Sequence, residues 1–191
     1  FILERARSQP EENGIYGILA DIIETSPEYE QAVEAVLGER IQSVLVDSPE
    51  RACQAIECLR KESAGWGAFV PINLKAEEPV VIPEQFQKMG AKPLLEVVQV
   101  QKGFEEVARA LLGPALLVDN LEKALQLWKQ NNFRGAFVTP EGVVLDPLGI
   151  LSGGKRDQGG ILSQKRELKE LETERDSLRA RLKEAEQKLA E

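Results

Sequence analysis

The sequence has no histidine, two cysteines and one methionine among its 191 residues. Without histidine the chain has no imidazole for acid–base catalysis, and most zinc sites are excluded as well. Cys53 and Cys58 fit neither a CxxC metal pair nor a disulfide framework, so we interpret them as small apolar residues in a reducing compartment. No run of about twenty apolar residues is present, so the sequence predicts no membrane span.

The charge balance excludes one broad class of function for the chain as a whole. The net charge is −8, so a surface that binds nucleic acid would have to be local. The 42% apolar content is enough for a packed core, and the length allows one ordinary domain or two small ones with an extension. The chain begins with Phe1, and we expect it to be a piece of a longer protein.

The middle of the sequence contains two similar stretches. Each has an apolar helical pattern ending in LG, a strand pattern ending in VD, a second helical pattern and then GAFV. The matching letters are LG at 37–38 and 112–113, VD at 46–47 and 118–119, and GAFV at 67–70 and 135–138. This repeat indicates an internal duplication and predicts two related subdomains.

The local signals predict a mixed α/β (α+β) fold. Ser26-Pro27 and Ser48-Pro49 are typical of helix starts, and short runs rich in β-branched and aromatic residues are typical of strands. Trp66 would open one of these strands, and Trp128 lies in an apolar helical stripe, so we expect both rings in the core. The predicted divisions are an inbound coiled-coil helix (1–12), subdomain I (13–78), a connecting segment (79–93), subdomain II with a glycine-rich edge (94–160) and an outbound coiled-coil helix (161–191).

The pattern after residue 160 is a heptad repeat. Ile161, Leu168, Leu182 and Leu189 are spaced by multiples of seven, with Arg175 on the same seam. Gln164, Leu171, Leu178 and Ala185 occupy the second seam position. Four such heptads are typical of a coiled coil, and a helix at each end of the core predicts an antiparallel coiled-coil stump with a globular tip.

The stretch LSGGKRDQGG, at residues 151–160, resembles two ATPase motifs. A phosphate-binding loop needs Ser or Thr after its lysine, yet Arg156 follows Lys155. The residues that remain have a coiled-coil pattern and leave no room for a nucleotide-binding sheet. The sequence therefore argues against ATP hydrolysis by this chain. Two interpretations of the glycines stay open, a linker to the coil and a close-packed edge against a second copy.

These residues resemble the hinge domain of SMC proteins, the coiled-coil ATPases of chromosome organisation, and in form the prokaryotic members most closely. The resemblance covers nearly the whole chain and is most specific in GVVLDPLGILSGGKRDQGG, at residues 142–160, where a strand, Asp-Pro and clustered glycines run into a coil. Gly14, Gly17, Leu37, Gly38 and Asp47 also match the family. The chain departs from it in having Leu148 and Ile150 spaced among the first glycines.

The resemblance implies a function for the chain. Hinges of this family form two-fold dimers in which each subdomain contacts the opposite subdomain of the partner, and the dimer joins two arms whose far ends carry ATPase heads. The implied fragment is not an enzyme and holds no cofactor, because ATP and magnesium would bind at the heads. The implied partners are a second copy, DNA, and a kleisin with accessory subunits through other parts of the full protein, in the cytoplasm at the nucleoid. The implied interface consists of Val143, Val144, Leu145, Gly149, Gly153, Gly154, Gly159 and Gly160.

A basic cluster lies at the root of the predicted coil. We expect weak, sequence-independent contact with DNA phosphates here, as the resemblance implies, although a solvated helix face balanced by Glu167 and Glu170 is the alternative. The residues are Lys155, Arg156, Lys165, Arg166 and Lys169.

Three other functions remain as alternatives. An enzyme with a small α/β core would need carboxylates such as Glu77, Glu78, Asp146 and Asp157 to share a pocket. A zinc-hook repair protein needs a CxxC that the chain lacks. A hinge that pairs with a non-identical partner would be a monomer when purified alone.

Overall fold

The structure, a computed structural model, describes residues 14–74, 82–130, 133–154 and 160–190. The predicted inbound helix, residues 1–12, lies outside these ranges. The described residues up to 154 belong to one compact unit, and the carboxyl-terminal helix belongs to a second.

The helices have recognisable starts in the sequence. Ser48 accepts a hydrogen bond from the Arg51 backbone N–H, and Pro49 occupies the first turn, so the predicted Ser-Pro start is confirmed. Asn120 caps a later helix in the same way, through a bond from the Lys123 N–H. The α-helices of the described residues are α1 (Glu30–Leu37), α2 (Pro49–Lys61), α3 (Glu84–Lys88), α4 (Glu105–Leu112), α5 (Leu121–Trp128) and α6 (Ile161–Ala190).

The strands are short, and the stretch GIYGILADII is two strands rather than one. A 3₁₀ turn, Leu19–Ile22, separates them and buries Leu19 and Ile22 in the core. The strands are β1 (Ile15–Ile18), β2 (Ile23–Thr25), β3 (Val44–Val46), β4 (Phe69–Pro71), β5 (Lys92–Pro93), β6 (Val98–Val100), β7 (Ala115–Leu117), β8 (Ala136–Val138), β9 (Val144–Leu145) and β10 (Leu151–Ser152).

The strands form two sheets and a two-stranded ribbon. The first sheet has the order β1-β3-β4, with β1 antiparallel and β4 parallel to β3. The second has the order β10-β9-β8-β7-β5, in which only the β7–β8 pair is parallel. The ribbon pairs β2 with β6, so it joins a strand from each half of the chain.

The two repeated stretches have the same order of elements. In the first, α1 is followed by β3, α2 and β4. In the second, α4 is followed by β7, α5 and β8. Both stretches place the two strands side by side and parallel, with the helix in the crossover. The mixed α/β class predicted from the sequence is confirmed.

Part of the predicted connecting segment, residues 79–93, is packed into the second sheet. β5 pairs with β7, and Phe86 of α3 is fully buried. The Phe86 ring centroid lies 5.9 Å from that of Phe137 and 6.2 Å from that of Phe133. The later half of the segment therefore contributes to the core beside β7 and β8, because an aromatic side chain of this size gains most from burial.

The helix α6 carries the predicted heptad seam. Leu168, Leu171, Leu178 and Leu182 are spaced by three, four or seven residues and are each more than half exposed. Arg175, on the seam, pairs with Asp176 at 2.9 Å. Among the helices described, none is both apolar enough and long enough to cross a lipid bilayer.

The buried ring of Phe86 gives a stability test of the second core. Replacing Phe86 with Ala should lower the free energy of unfolding by about 3–5 kcal/mol, the usual cost of removing a buried ring. Gln87→Ala is the matched control, because Gln87 is exposed on the same helix. Denaturant unfolding measures both, and equal small losses would show that α3 is not part of the core.

Candidate dimer interface

The second sheet has two end strands, β5 and β10, and β10 follows the predicted interface strand. The stretch GVVLD, which includes β9, contains the predicted interface residues Val143, Val144 and Leu145, but β9 is not an edge of the sheet. β9 pairs with β8 on one side and with β10 on the other. Leu151 and Ser152 of β10 pair only with Leu145 and Val144, and their other side carries no strand among the described residues.

The backbone groups of Leu151 face the open side. The Asp146 N–H donates to the Ile150 carbonyl at 3.0 Å, which makes Asp146 and Ile150 a bonded pair in the ladder between β9 and β10. Bonded and non-bonded pairs alternate in an antiparallel ladder, so the next pair, Leu145 with Leu151, is non-bonded. The N–H and C=O of Leu151 therefore point away from β9 and are free to bind another strand.

The loop between β9 and β10 is held by one carboxylate. Asp146 Oδ1 accepts the backbone N–H groups of Leu148 and Ile150, each at 2.8 Å. The Trp128 indole N–H donates to the Pro147 carbonyl at 3.2 Å. Asp146, a candidate catalytic acid in the sequence, thus has a structural role in this turn, while Glu77, Glu78 and Asp157 lie outside the described residues.

Apolar side chains stand exposed along this loop and edge. Leu148 is 82% exposed, Ile150 58% and Leu151 50%. Grouped exposure of large apolar side chains is characteristic of an interaction surface. Val143 and Val144 are partly buried beside it, but Leu145 is only 1% exposed and packs in the chain's own core. The side chain of Leu145 is therefore unavailable to a partner, which corrects the prediction for that residue.

The predicted interface glycines differ in backbone conformation and in the space around them. Gly149 has φ +88°, and a Cβ there would lie 2.8 Å from Trp128 Cζ2, so its own chain requires this glycine. A Cβ on Gly153 would lie 3.1 Å from a Val143 methyl. Gly154 has φ +128° and open space around it, with no atom within 4 Å of an added Cβ. Gly160 is partly buried, and Gly159 lies outside the described residues.

A second open edge, which the sequence did not reveal, is on the first sheet. β4 pairs with β3 on one side and with no described strand on the other. The Val44 N–H donates to the Ala68 carbonyl at 2.9 Å, and the Ile72 N–H donates to the Val46 carbonyl at 2.8 Å. Ala68 and Ile72 thus face β3. Because backbone direction alternates along a strand, Phe69 and Pro71 face the open side.

Trp66 lies just before this second edge. We expected its ring in the core, and that prediction is wrong because Trp66 is 83% exposed. The strand begins only at Phe69, and Trp66 belongs to the loop after α2, where Ser63 and Gly65 have positive φ angles. Trp128, in contrast, is partly buried against the core of the second sheet, in line with its prediction.

The predicted DNA-binding residues fall into two groups. Lys155 and Arg156 lie outside the described residues. Lys165, Arg166 and Lys169 lie on the first turns of α6, where Arg166 pairs with Glu170 at 3.4 Å. Part of the positive charge is thereby balanced on the helix itself.

Comparison with known proteins identifies the family of the chain. The family model described as the SMC proteins flexible hinge domain matches residues 12–128. The chain belongs to the SMC hinge family. The resemblance found in the sequence is thereby confirmed.

The relatives of this SMC hinge include chromosome partition proteins. It is 33% identical to Chromosome partition protein Smc of Myxococcus xanthus over 91% of the chain, and 31% identical to that of Bacillus subtilis over 83%. These alignments cover 15% and 14% of the two relatives, so the chain spans about a seventh of their length. The whole relatives are thus far longer than this hinge.

Solved SMC hinges have the same fold. An asymmetric dimer of the Geobacillus stearothermophilus SMC hinge domain matches with a TM-score of 0.77 and 29% identity, over 100% of this chain and 81% of that one. The Pyrococcus furiosus SMC hinge domain matches with a TM-score of 0.67 and 26% identity, over 84% of this chain and 83% of that one.

The contact between Gly149 and Trp128 predicts a strong, intramolecular effect of substitution. Gly149→Ala should lower the free energy of unfolding by at least about 2 kcal/mol, from positive-φ strain together with the clash. In a Trp128→Leu background only the strain remains, about 1 kcal/mol. A double-mutant cycle by denaturant unfolding measures the difference. If Gly149→Ala and Trp128→Leu have additive effects on the free energy of unfolding, the Trp128 ring is not the reason that position 149 requires glycine.

Proposed function

We propose that this hinge joins two copies of the chain through their sheet edges. In the proposed dimer, β10 of each copy pairs with β4 of the other, which gives two identical seams related by a two-fold axis. The observation that carries the proposal is that β10 and β4, each the end strand of its sheet, direct backbone groups to a side with no strand among the described residues. Open strand edges are a liability that pairing removes.

The internal duplication supports this pairing. β4 and β8 occupy equivalent places in the two halves, each parallel to the strand before it. The outer side of β8 carries the antiparallel strand β9, and Phe137 is fully buried there. The outer side of β4 carries no described strand, and Phe69 is only partly buried. The first half therefore lacks a strand that the second half has, and a partner copy supplies it in this proposal.

A relative supports self-association as well. The Geobacillus stearothermophilus hinge, at 29% identity, is an asymmetric dimer, which supports pairing with a second copy. Pairing with a non-identical chain is the alternative, and the purified fragment would then be a monomer. The exposed apolar residues beside β10 and β4 favour a stable contact over a transient one, because burying them removes apolar surface from water.

We further propose that the hinge works within a longer chromosome-organising protein. Its two coiled-coil arms would lead to ATPase heads, where ATP and magnesium bind, and a kleisin with accessory subunits would close the ring around DNA at the nucleoid in the cytoplasm. The heptad seam on α6, with exposed Leu168, Leu171, Leu178 and Leu182, supports the attachment of such an arm. The hinge itself would require no cofactor.

Weak DNA binding is a second proposed activity. Lys165 and Lys169 lie one helical turn apart on α6, which favours contact with a phosphate backbone. The ion pair of Arg166 with Glu170 opposes it. The interaction would be independent of base sequence and would fall steeply with salt.

The edge proposal predicts different outcomes for two substitutions of one residue. Leu151→Pro removes an N–H that faces the open side, whereas Leu151→Ala removes the same side chain and keeps the N–H. The dimer dissociation constant of the proline variant should exceed that of the alanine variant by at least about 30-fold, because two seams each lose one hydrogen bond. Analytical ultracentrifugation over a concentration series measures both.

Ser152→Pro is the control for the fold. The N–H of Ser152 faces β9, so this change should weaken the pairing within the chain and lower the free energy of unfolding, which Leu151→Pro should leave nearly unchanged. A wild-type fragment that sediments as a monomer at all concentrations would contradict the dimer. Equal dissociation constants for the two Leu151 variants would contradict the role of the β10 edge.

The DNA proposal is tested by charge removal. Replacing Lys155, Arg156, Lys165 and Arg166 with Ala should weaken a mobility shift and flatten its salt dependence, by up to about 0.9 in logarithmic slope for each phosphate that the variant no longer binds. The charge-matched control replaces the exposed residues Lys61, Lys88, Lys92 and Lys102, which lie outside α6. If both variants weaken DNA binding equally, the cause is the overall charge of the protein, and a local DNA-binding site is excluded.

A further inference from the structure

We infer a specific register for the seam, in which Phe69 of one copy lies opposite Leu151 of the other. This inference rests on the proposed dimer and adds to it which residues meet. It places Val70 opposite Ile150 and Trp66 opposite Gly154, because residue numbers opposed in an antiparallel pair have a constant sum. Trp66 then becomes an anchor for the partner's glycine segment.

The direction of the seam follows from the duplicated half. β9 lies antiparallel on the outer side of β8, with Phe137 opposite Leu145 and Val138 opposite Val144. Because β4 is the counterpart of β8, the same side of β4 has the geometry to accept an antiparallel strand. The open edge β10 can supply that strand from a second copy, because an antiparallel pair needs no connection between the copies.

The register follows from the backbone groups that face outward. Phe69 and Leu151 each direct an N–H and a C=O to the open side, so placing them opposite each other makes both hydrogen bonds of a bonded pair. The neighbouring register would put Leu151 opposite Pro71, the other outward-facing residue of β4. Proline has no N–H, so that register loses one bond at each seam. Two extra bonds per dimer favour Phe69 opposite Leu151.

The side chains agree with this register. Val70 and Ile150 fall opposite each other as a non-bonded pair, the closer of the two pair types, and Ile150 is 58% exposed in the single chain. Two apolar side chains would thus cover each other on one face of the joined sheet. Leu148, which is 82% exposed, falls opposite Ile72, which is partly buried.

The most exposed large apolar side chain of the described residues falls opposite an open glycine. Trp66 is 83% exposed, and an added Cβ on Gly154 would meet no atom within 4 Å. Gly67 falls opposite Gly153, so neither strand carries a side chain next to the indole. An aromatic ring lying across an opposing glycine covers backbone that is otherwise solvated, a contact known to stabilise edge strands. Tryptophan is also among the residue types most enriched at the centre of interfaces.

Engineered disulfides test the register directly. In a Cys53→Ser, Cys58→Ser background, V70C combined with I150C should cross-link two copies on mild oxidation, because the Cβ atoms of a non-bonded antiparallel pair lie within disulfide reach. V70C combined with S152C is the matched control, since it reports the neighbouring register through Pro71. The first pair should cross-link at least roughly 10-fold faster on a non-reducing gel.

The role of Trp66 is tested by sedimentation of Trp66→Arg, which copies the residue at the equivalent position, Arg134, in the duplicated half. Its dimer dissociation constant should rise at least about 30-fold, as for an interface hot spot. Ile56→Ala, which removes a half-exposed apolar side chain from α2, should change it less than about 3-fold.

The outcomes separate this inference from the dimer itself. If the wild-type protein is a dimer but V70C with S152C cross-links faster than V70C with I150C, the register is wrong. If Trp66→Arg leaves the dimer dissociation constant unchanged, Trp66 is not an anchor. Either result leaves the dimer itself in place. A wild-type monomer overturns the dimer, and with it the basis of the register.

Discussion

The structure depends on one constraint, that backbone N–H and C=O groups at a sheet edge need partners. The chain meets it internally for the central strands, β3 of the first sheet and β7, β8 and β9 of the second, which have a neighbour on each side. On the end strands β10 and β4, Leu151 and Phe69 direct backbone groups to a side without a strand among the described residues. A backbone group in water is satisfied by solvent, but two edges with apolar flanks gain more by pairing with each other. In the proposed dimer, the second copy completes the first sheet.

The duplication explains why the first sheet is incomplete. Both halves build a parallel strand pair around one crossover helix, and the shared GAFV letters place Phe69 and Phe137 in equivalent positions. The chain continues past β8 into β9 and β10, whereas past β4 it leaves the first sheet for the segment that reaches α3 and β5. The second half thus has two strands, β9 and β10, beyond the repeated unit, whereas the first half has no strand on the outer side of β4 among the described residues. Two copies related by a two-fold axis can satisfy both needs at once.

Sequence patterns predicted the fold class, the repeat and the helix starts, because these depend on local chemistry. Ser48 with Pro49 determines a helix start within a few residues, and the repeat indicates that the halves share a topology. The patterns failed where burial depends on distant neighbours. β10 is only two residues long, so nothing in its letters distinguishes an edge strand from a linker. Trp66 is followed by the apolar residues of a strand pattern, but β4 begins only at Phe69 and the Trp66 ring is exposed to solvent.

Amide hydrogen exchange at Phe69 and Leu151, followed over a dilution series, tests the central claim most directly. The two amides face away from their own sheets, so the account predicts slow exchange at concentrations where sedimentation shows a dimer. It also predicts a return to the rate of unprotected amides when the dimer dissociates. Fast exchange of both amides in a sample that is fully dimeric would contradict the account, because the copies would then be joined somewhere other than these edges.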